Sequence, residues 1–224
     1  MPEALPLFPL NTVLFPDMLL PLHIFEERYR RMLRERLEAD PVFGVIHIAR
    51  GVEVASGDRT PELSAIGTAS TLVASGEYPD GRWDIVVRGT RRFRMHSGHW
   101  ESDYLTAEVS WLPDIVVPSD ADQAMLIRHD LITGFERFIE DLQRLTGSEL
   151  DPVTFPDDPL SAAWELASII PVAARDRQRL LEMRTLTELS NEMLALLKTE
   201  RGMLRQLGTA GTLIDHPGRR FSAN

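Results

Sequence analysis

The apolar positions along this chain change rhythm twice. From Leu5 to Ile24 they are nearly continuous, LPLFPLNTVLFPDMLLPLHI, and are punctuated by Pro6, Pro9, Pro16 and Pro21. Proline fixes φ and removes a backbone donor, and it pushes the preceding residue toward extended geometry. The segment is therefore expected as short extended pieces bent at the prolines, not as one long central strand. With apolar side chains on nearly every side, it has to be covered on both faces by a closed sheet that later strands supply.

A helical rhythm follows. Phe25, Tyr29, Met32, Leu33 and Leu37 fall on one face, with Glu26/Arg30 and Glu27/Arg31 as i,i+4 pairs. They predict a helix from Phe25 to Glu38 that stops before Asp40-Pro41. Each such ion pair contributes only about 0.3–0.5 kcal/mol, so the apolar stripe decides where the helix sits. From Val42 to Leu112 the pattern turns to strands: Phe43 to Ile48, Glu62 to Ala74 around Gly67, Trp83 to Met95, and Tyr104 to Trp111. A Tyr-Pro-Asp-Gly-Arg turn at Tyr78 to Arg82 separates two of them. Short strands between glycine-bearing turns predict an antiparallel, barrel-like sheet ending near Val117-Pro118.

After Pro118 the period is helical again. Ser119 with Asp122 three residues on opens a helix from Asp120 to Thr146, whose seam is Leu131, Phe135, Phe138, Leu142 and Leu145, and Gly147 stops it. Asp158-Pro159 reads as a cap and first turn, and short helices follow around Trp164 and from Ala174 to Met183, interrupted at Pro171. Thr185-x-x-Glu188 has the capping-box spacing and opens a final helix carrying Leu186, Leu189, Met193, Leu196, Met203 and Leu207, with Glu200 breaking the repeat. A seam this short and interrupted suits bundle packing better than an extended coiled coil. From Gly208 the chain is polar and reads as a loose tail.

Composition narrows the function classes. A net charge of −10 is divided evenly, each half holding 12 basic against 17 acidic residues, so no basic module is hidden in an acidic chain. That weighs against general affinity for nucleic-acid phosphates or anionic membranes. There is no cysteine, which removes disulfides and thiolate metal sites and fits a cytoplasmic protein. The apolar start lacks a basic leader and is broken by proline and Asp17, so neither a signal peptide nor a membrane span is expected.

The run P-L-F-P-L-x-x-V-L-F-P-x-x-x-L-P-L-x-I-F-E-x-R-Y, from Pro6 to Tyr29, resembles the opening of the amino-terminal substrate-binding domain of Lon proteases. The same domain occurs as a stand-alone protein and in cereblon-type proteins. Phe43-Gly44-Val45, Ile66-Gly67-Thr68-Ala69, Val87-Arg88-Gly89 with Arg92-Phe93-Arg94, and Tyr104 to Val109 continue the resemblance, in family order, to about Leu207. It implies an α+β chain: a PUA-like β pseudo-barrel over residues 1–117, then a C-terminal α-helical bundle over residues 118–207, with a flexible tail over 208–224. It also implies non-covalent recognition of unfolded or flexible polypeptide segments, as a stand-alone module or adaptor in protein quality control that hands substrate to a separate ATP-dependent protease.

The chemistry in the residues agrees with a non-catalytic reading. There is no G-x-x-x-x-G-K-[ST] phosphate loop, and the one lysine, Lys198, lies mid-helix beside Leu196 and Leu197. No catalytic residue, cofactor or metal is expected. His23-Ile-Phe-Glu26-Glu27 stops one residue short of the H-x-x-E-H zinc signature, because its fifth position is Glu27. A partly buried histidine before a helix explains it better than a metal-dependent hydrolase does. His96 and His99 lack further ligands and read as loop polarity.

Two groups remain as peptide-binding candidates. Arg88, Arg92 and Arg94 share one face of a regular strand, and Arg91 breaks the pattern. They form either a solvated, locally neutralised face or a cationic strip for acidic peptide side chains or RNA phosphate. RNA binding is the alternative reading, opposed by the acidic total and the lack of a stacking platform. Met18 and Leu20 would give a soft apolar patch if one rim of the opening segment were open. An extended peptide could then add to a proline-interrupted sheet edge there.

Overall fold

The computed structural model describes residues 3–38, 41–51, 61–101 and 104–214. Among these are six strands and five helices, in the order β1 (Glu3–Leu10), β2 (Leu19–Ile24), α1 (Glu27–Glu38), β3 (Val42–Arg50), β4 (Glu62–Glu77), β5 (Trp83–Glu101), β6 (Tyr104–Trp111), α2 (Ala121–Thr146), α3 (Pro159–Ile169), α4 (Ala174–Glu182) and α5 (Leu186–Ile214).

The strands form one mixed sheet in the order β2-β5-β4-β3-β1-β6, and β6 also pairs with β5. That last pairing closes β5, β4, β3, β1 and β6 into a ring. β2 stays outside it, on the first half of β5. The expectation of an antiparallel sheet holds at every ladder except β1–β3, which is parallel, with Leu7 opposite Gly44 and Leu10 opposite His47.

Contrary to the bends expected at Pro6 and Pro9, β1 is a continuous strand through both. It pairs with β6 from Glu3 to Leu7 and with β3 from Leu7 to Leu10, so each proline has a ladder on one flank only. A missing donor is tolerated there for the same reason that proline is tolerated at sheet edges. Both faces of β1 are covered, as its composition requires. Leu5 and Leu7 join Ile46, Phe93, Leu105 and Val109 inside the ring. Phe8 and Leu10 face the other way, toward Phe43, Val45 and the α1 residues Tyr29, Met32 and Leu33. Gly67 lies opposite Phe93, and a Cβ there would sit 2.5 Å from both the Phe93 ring and the Val45 carbonyl oxygen. Only glycine lets that ring fill the ring's interior.

The helical signals are mostly realised, except that α1 begins at Glu27, so Phe25 lies before it and is exposed, and of the expected stripe only Tyr29, Met32 and Leu33 are buried. Asp120, not Ser119, caps α2, accepting from the Asp122 amide, and Gly147 ends the helix in the left-handed conformation at φ 69°. Asp158 caps α3 with Pro159 in its first turn. The capping box is reciprocal: the Glu188 amide donates to Thr185 Oγ1 at 3.1 Å, and the Thr185 amide to Glu188 Oε2 at 3.2 Å. α5 runs past Leu207 to Ile214; the rest of the expected tail lies outside the described residues. Its buried seam is Leu186, Leu189, Met193 and Leu197, whereas Leu196 is half-buried and Met203 and Leu207 are exposed. A straight helix drifts off a strict seven-residue repeat, which moves burial from Leu196 to Leu197.

The sheet and the helices meet in one apolar cluster. Val13, Phe15 and Ile66 pack there with Leu131, Phe135, Trp164, Leu166, Leu180 and Leu189. Val116 joins the start of α5 through a parallel bridge to Thr185.

Candidate functional site

The loop between β1 and β2 is fixed from three sides. Phe15, fully buried, stacks on Trp164 of α3 at 5.6 Å between ring centroids, and the Arg177 guanidinium lies 5.9 Å from its ring. Thr68 Oγ1 donates to the Leu14 carbonyl at 2.6 Å. The loop backbone also presses onto β5 at Gly89, where a Cβ would stand 2.1 Å from the Phe15 carbonyl oxygen. The Asp17 amide donates to the Gly89 carbonyl, and the Gly89 amide to the Met18 carbonyl, both at 2.9 Å. Asp17 turns the chain at φ 64°, a conformation short polar side chains tolerate.

This anchoring sets up a cleft of about 520 Å³ between sheet and helices. One wall is Asp17, Met18, Leu19 and Arg88; the other is Pro156 with Ser161, Glu165 and Ser168, spaced along one face of α3. Arg128 holds the second wall, donating to the Pro156 carbonyl at 2.7 Å and the Phe155 carbonyl at 3.2 Å. Asp17, Glu165 and Arg88 have no ion-pair partner among the described residues.

β2 lines two further concavities. Its outer face, with Pro21 and His23, joins Ala74, Gly76, Asp84 and Val86 in a shallow groove of about 560 Å³. Between β2 and the end of β1 lies a seam of about 210 Å³, walled by Phe8, Leu10, Leu22 and Ile24.

Of the five residues expected to bind peptide, the structure brings Met18 and Arg88 together in the 520 Å³ cleft. Leu20 is turned away from it, half-buried against the Phe8–Phe43–Tyr29 cluster. Its neighbour Leu19, which sequence reasoning passed over, is 49% exposed and lines the cleft. Adjacent leucines give no clue to the phase of a strand; the pairing of Leu19 with Arg88 and Leu20 with Val87 sets it.

The three arginines do not form one strip. Opposite Thr68 and Ser70 of β4 stand Arg92 and Gly89, so β5 carries one extra residue, a bulge, between them. The bulge shifts alternation by one and puts Arg88 on the face opposite Arg92 and Arg94. Arg92 is only 7% exposed. It donates to the carbonyls of Leu181 at 2.8 Å, Met183 at 2.6 Å and Pro113 at 3.2 Å, with its guanidinium 5.8 Å from the Trp164 ring. Burial lowers its pKa and Asp114 pulls it back up. Arg94 is half-buried. The cationic surface that would have favoured RNA is therefore not assembled.

His23 is exposed, not partly buried as its position before a helix suggested. Its Nδ1 lies 2.6 Å from Asp84 Oδ1, and the Tyr78 hydroxyl donates to Asp84 Oδ2 at 2.5 Å. Those two bonds, Tyr78 first, hold the Asp84 carboxyl below its usual range. His96 Nε2 lies 2.8 Å from Ser110 Oγ. Among the described residues no three His, Asp or Glu side chains gather as a metal site.

Residues 4–199 match the family model described as the ATP-dependent protease La (LON) substrate-binding domain. The chain belongs to the Lon substrate-binding domain family. It is similar to Lon protease 2 of Syntrophobacter fumaroxidans, 29% identical over 82% of this chain and 23% of that protein. It is also similar to the Lon protease of Escherichia coli K12, 24% identical over 90% of this chain and 25% of that protein. The chain thus spans about a quarter of the length of these Lon proteases. Among solved structures, a Lon N-terminal domain protein from Xanthomonas campestris superposes with a TM-score of 0.64 at 28% identity, covering 86% of this chain and 98% of that one. The N-terminal domain of Mycobacterium avium complex Lon protease shares the fold, with a TM-score of 0.54 at 17% identity. The mixed α+β architecture is therefore that of the Lon N-terminal domain. No described helix is long and apolar enough to cross a membrane.

Proposed function

We propose that this chain recognises flexible polypeptide segments without reacting with them, at the cleft of Met18, Leu19 and Arg88. The observation that carries the proposal is that cleft itself: an exposed leucine, an adaptable methionine and a guanidinium with no ion-pair partner among the described residues, in a family described by substrate binding. A rigid floor supports it, because Phe15 and Gly89 fix the loop bearing Met18. We read the closed ring as a PUA-like pseudo-barrel over residues 1–117 and the helices over residues 118–207 as the bundle forming the far wall. In this reading the protein works in the cytoplasm and hands bound chains to an ATP-dependent protease, as an adaptor. The resemblance supports that step, since the matched relatives are Lon proteases.

Fluorescence anisotropy with labelled, unstructured, apolar-rich peptides tests the reading. Micromolar binding is expected, and Leu19→Asp, at the exposed position, should weaken it by about tenfold or more while leaving the fold intact. Peptides held no more tightly than by an unrelated acidic protein would end the proposal.

A further inference from the structure

The free edge of β2 has a hydrogen-bonding phase that can be worked out. The Gly89 amide donates to the Met18 carbonyl and its carbonyl accepts from the Asp17 amide, a bulge that places Met18 at a hydrogen-bonding position opposite Gly89. Pairs in an antiparallel ladder alternate, so Leu20/Val87, Leu22/Ile85 and Ile24/Trp83 are hydrogen-bonded as well. Leu19, Pro21 and His23 then direct their backbone groups away from β5. Pro21 falls where its missing N–H weakens nothing inside the sheet. β2 has no second neighbour among the described residues, so its edge offers the N–H groups of Leu19 and His23 and the carbonyls of Leu19, Pro21 and His23.

Edges of this kind are usually guarded by charge, by proline or by a bulge. The free stretch of β4 beyond Thr71 has a bulge at Val73. β2 carries Pro21 on its edge and a bulge at Asp17–Met18 just before it, but between Leu19 and Ile24 it has no bulge and no Asp, Glu, Lys or Arg. Concave surfaces lie on both sides of it, the Pro21–His23 groove and the Leu22–Ile24 seam, where alternate side chains of an added strand would go. At its Leu19 end the cleft holds two carboxylates, Asp17 and Glu165, against one guanidinium, Arg88, in a chain of net charge −10.

We infer that substrate polypeptide adds to β2 as an extra strand, apolar along its length and basic at the end that reaches Asp17 and Glu165. This rests on the function proposed above and specifies its contacts: recognition is mainly of backbone, which suits a binder of many unfolded sequences. Every second residue of the added strand, those opposite Leu19, Pro21 and His23, donates its N–H to a β2 carbonyl. The residue opposite Pro21 gains no donor in return.

The test is a scan of single N-methyl groups along a labelled apolar peptide with a terminal lysine, read by anisotropy with the full chain. Methylation at alternate positions should weaken binding by about tenfold each, and at the intervening positions by less than about twofold. Replacing the terminal lysine by glutamate should weaken binding, and Glu165→Lys in the protein should remove that preference. Binding indifferent to N-methylation would overturn the inference and leave peptide recognition standing. No binding of any unmethylated peptide would instead remove the function on which it rests. Self-association of the chain that excess peptide cannot disrupt would assign the edge to a second copy and also overturn it.

Discussion

Arg92 offers the sharpest division between a binding residue and a structural one. Two of its three acceptors, the carbonyls of Leu181 and Met183, lie at the C-terminal end of α4, where helix carbonyls have no partner within the helix. The third belongs to Pro113, just after β6. One guanidinium thus caps a nine-residue helix, favoured by the negative end of its dipole, and ties it to the sheet. Arg92→Met keeps most of the apolar stem but leaves three carbonyls without this donor. At about 1–3 kcal/mol for each buried acceptor left unsatisfied, offset by no longer desolvating a cation, the net loss should be about 3–5 kcal/mol. For a chain of this size that lowers the melting temperature by roughly 10 °C. Arg92→Lys retains the charge but cannot span all three acceptors, and should fall between. Urea unfolding followed by circular dichroism measures this, with ΔG taken from midpoint and slope. A loss below about 1 kcal/mol for Arg92→Met, together with weakened peptide binding, would refute the capping role and return Arg92 to the binding surface.

Three further expectations follow from the same geometry. Gly89→Ala should cost more than about 2 kcal/mol in urea unfolding, because its methyl meets the Phe15 carbonyl and the loop cannot withdraw without pulling Phe15 from the core. Leu20→Asp should destabilise by about 2–3 kcal/mol, where Leu19→Asp stays within about 0.5 kcal/mol; equal effects would mean β2 has the opposite phase. Asp141, 6% exposed, accepts from Arg201 at 2.8 Å and from Arg205 and Arg144 at 3.2 Å each, and the Arg201 bond leads in depressing its pKa. A depressed carboxylate contributes stability that is present above its unfolded-state pKa and lost as pH falls through the folded one. Asp141→Asn should therefore lose about 1–2 kcal/mol at neutral pH and flatten the acid limb of a stability–pH curve, and an unchanged limb would count against the cluster.

What could be read from the sequence was whatever depends on near neighbours. The Asp158-Pro159 start, the Gly147 stop and the Thr185–Glu188 box are each satisfied within a few residues, so their signals survive in any tertiary setting. The family resemblance likewise rests on contiguous runs, the proline-rich one from Pro6 to Tyr29 being the most specific. Pairing between distant strands was not written locally. The switch of β1 from β6 to β3 at Leu7 lets Pro6 and Pro9 lie inside a strand, and the β5 bulge moves Arg92 from a supposed surface strip to a helix cap. Two adjacent leucines could not say which of them faces solvent. Composition decides that a residue is apolar or charged, but the side it faces is a matter of register, and a shift of one residue in a two-residue period reverses every side chain beyond it.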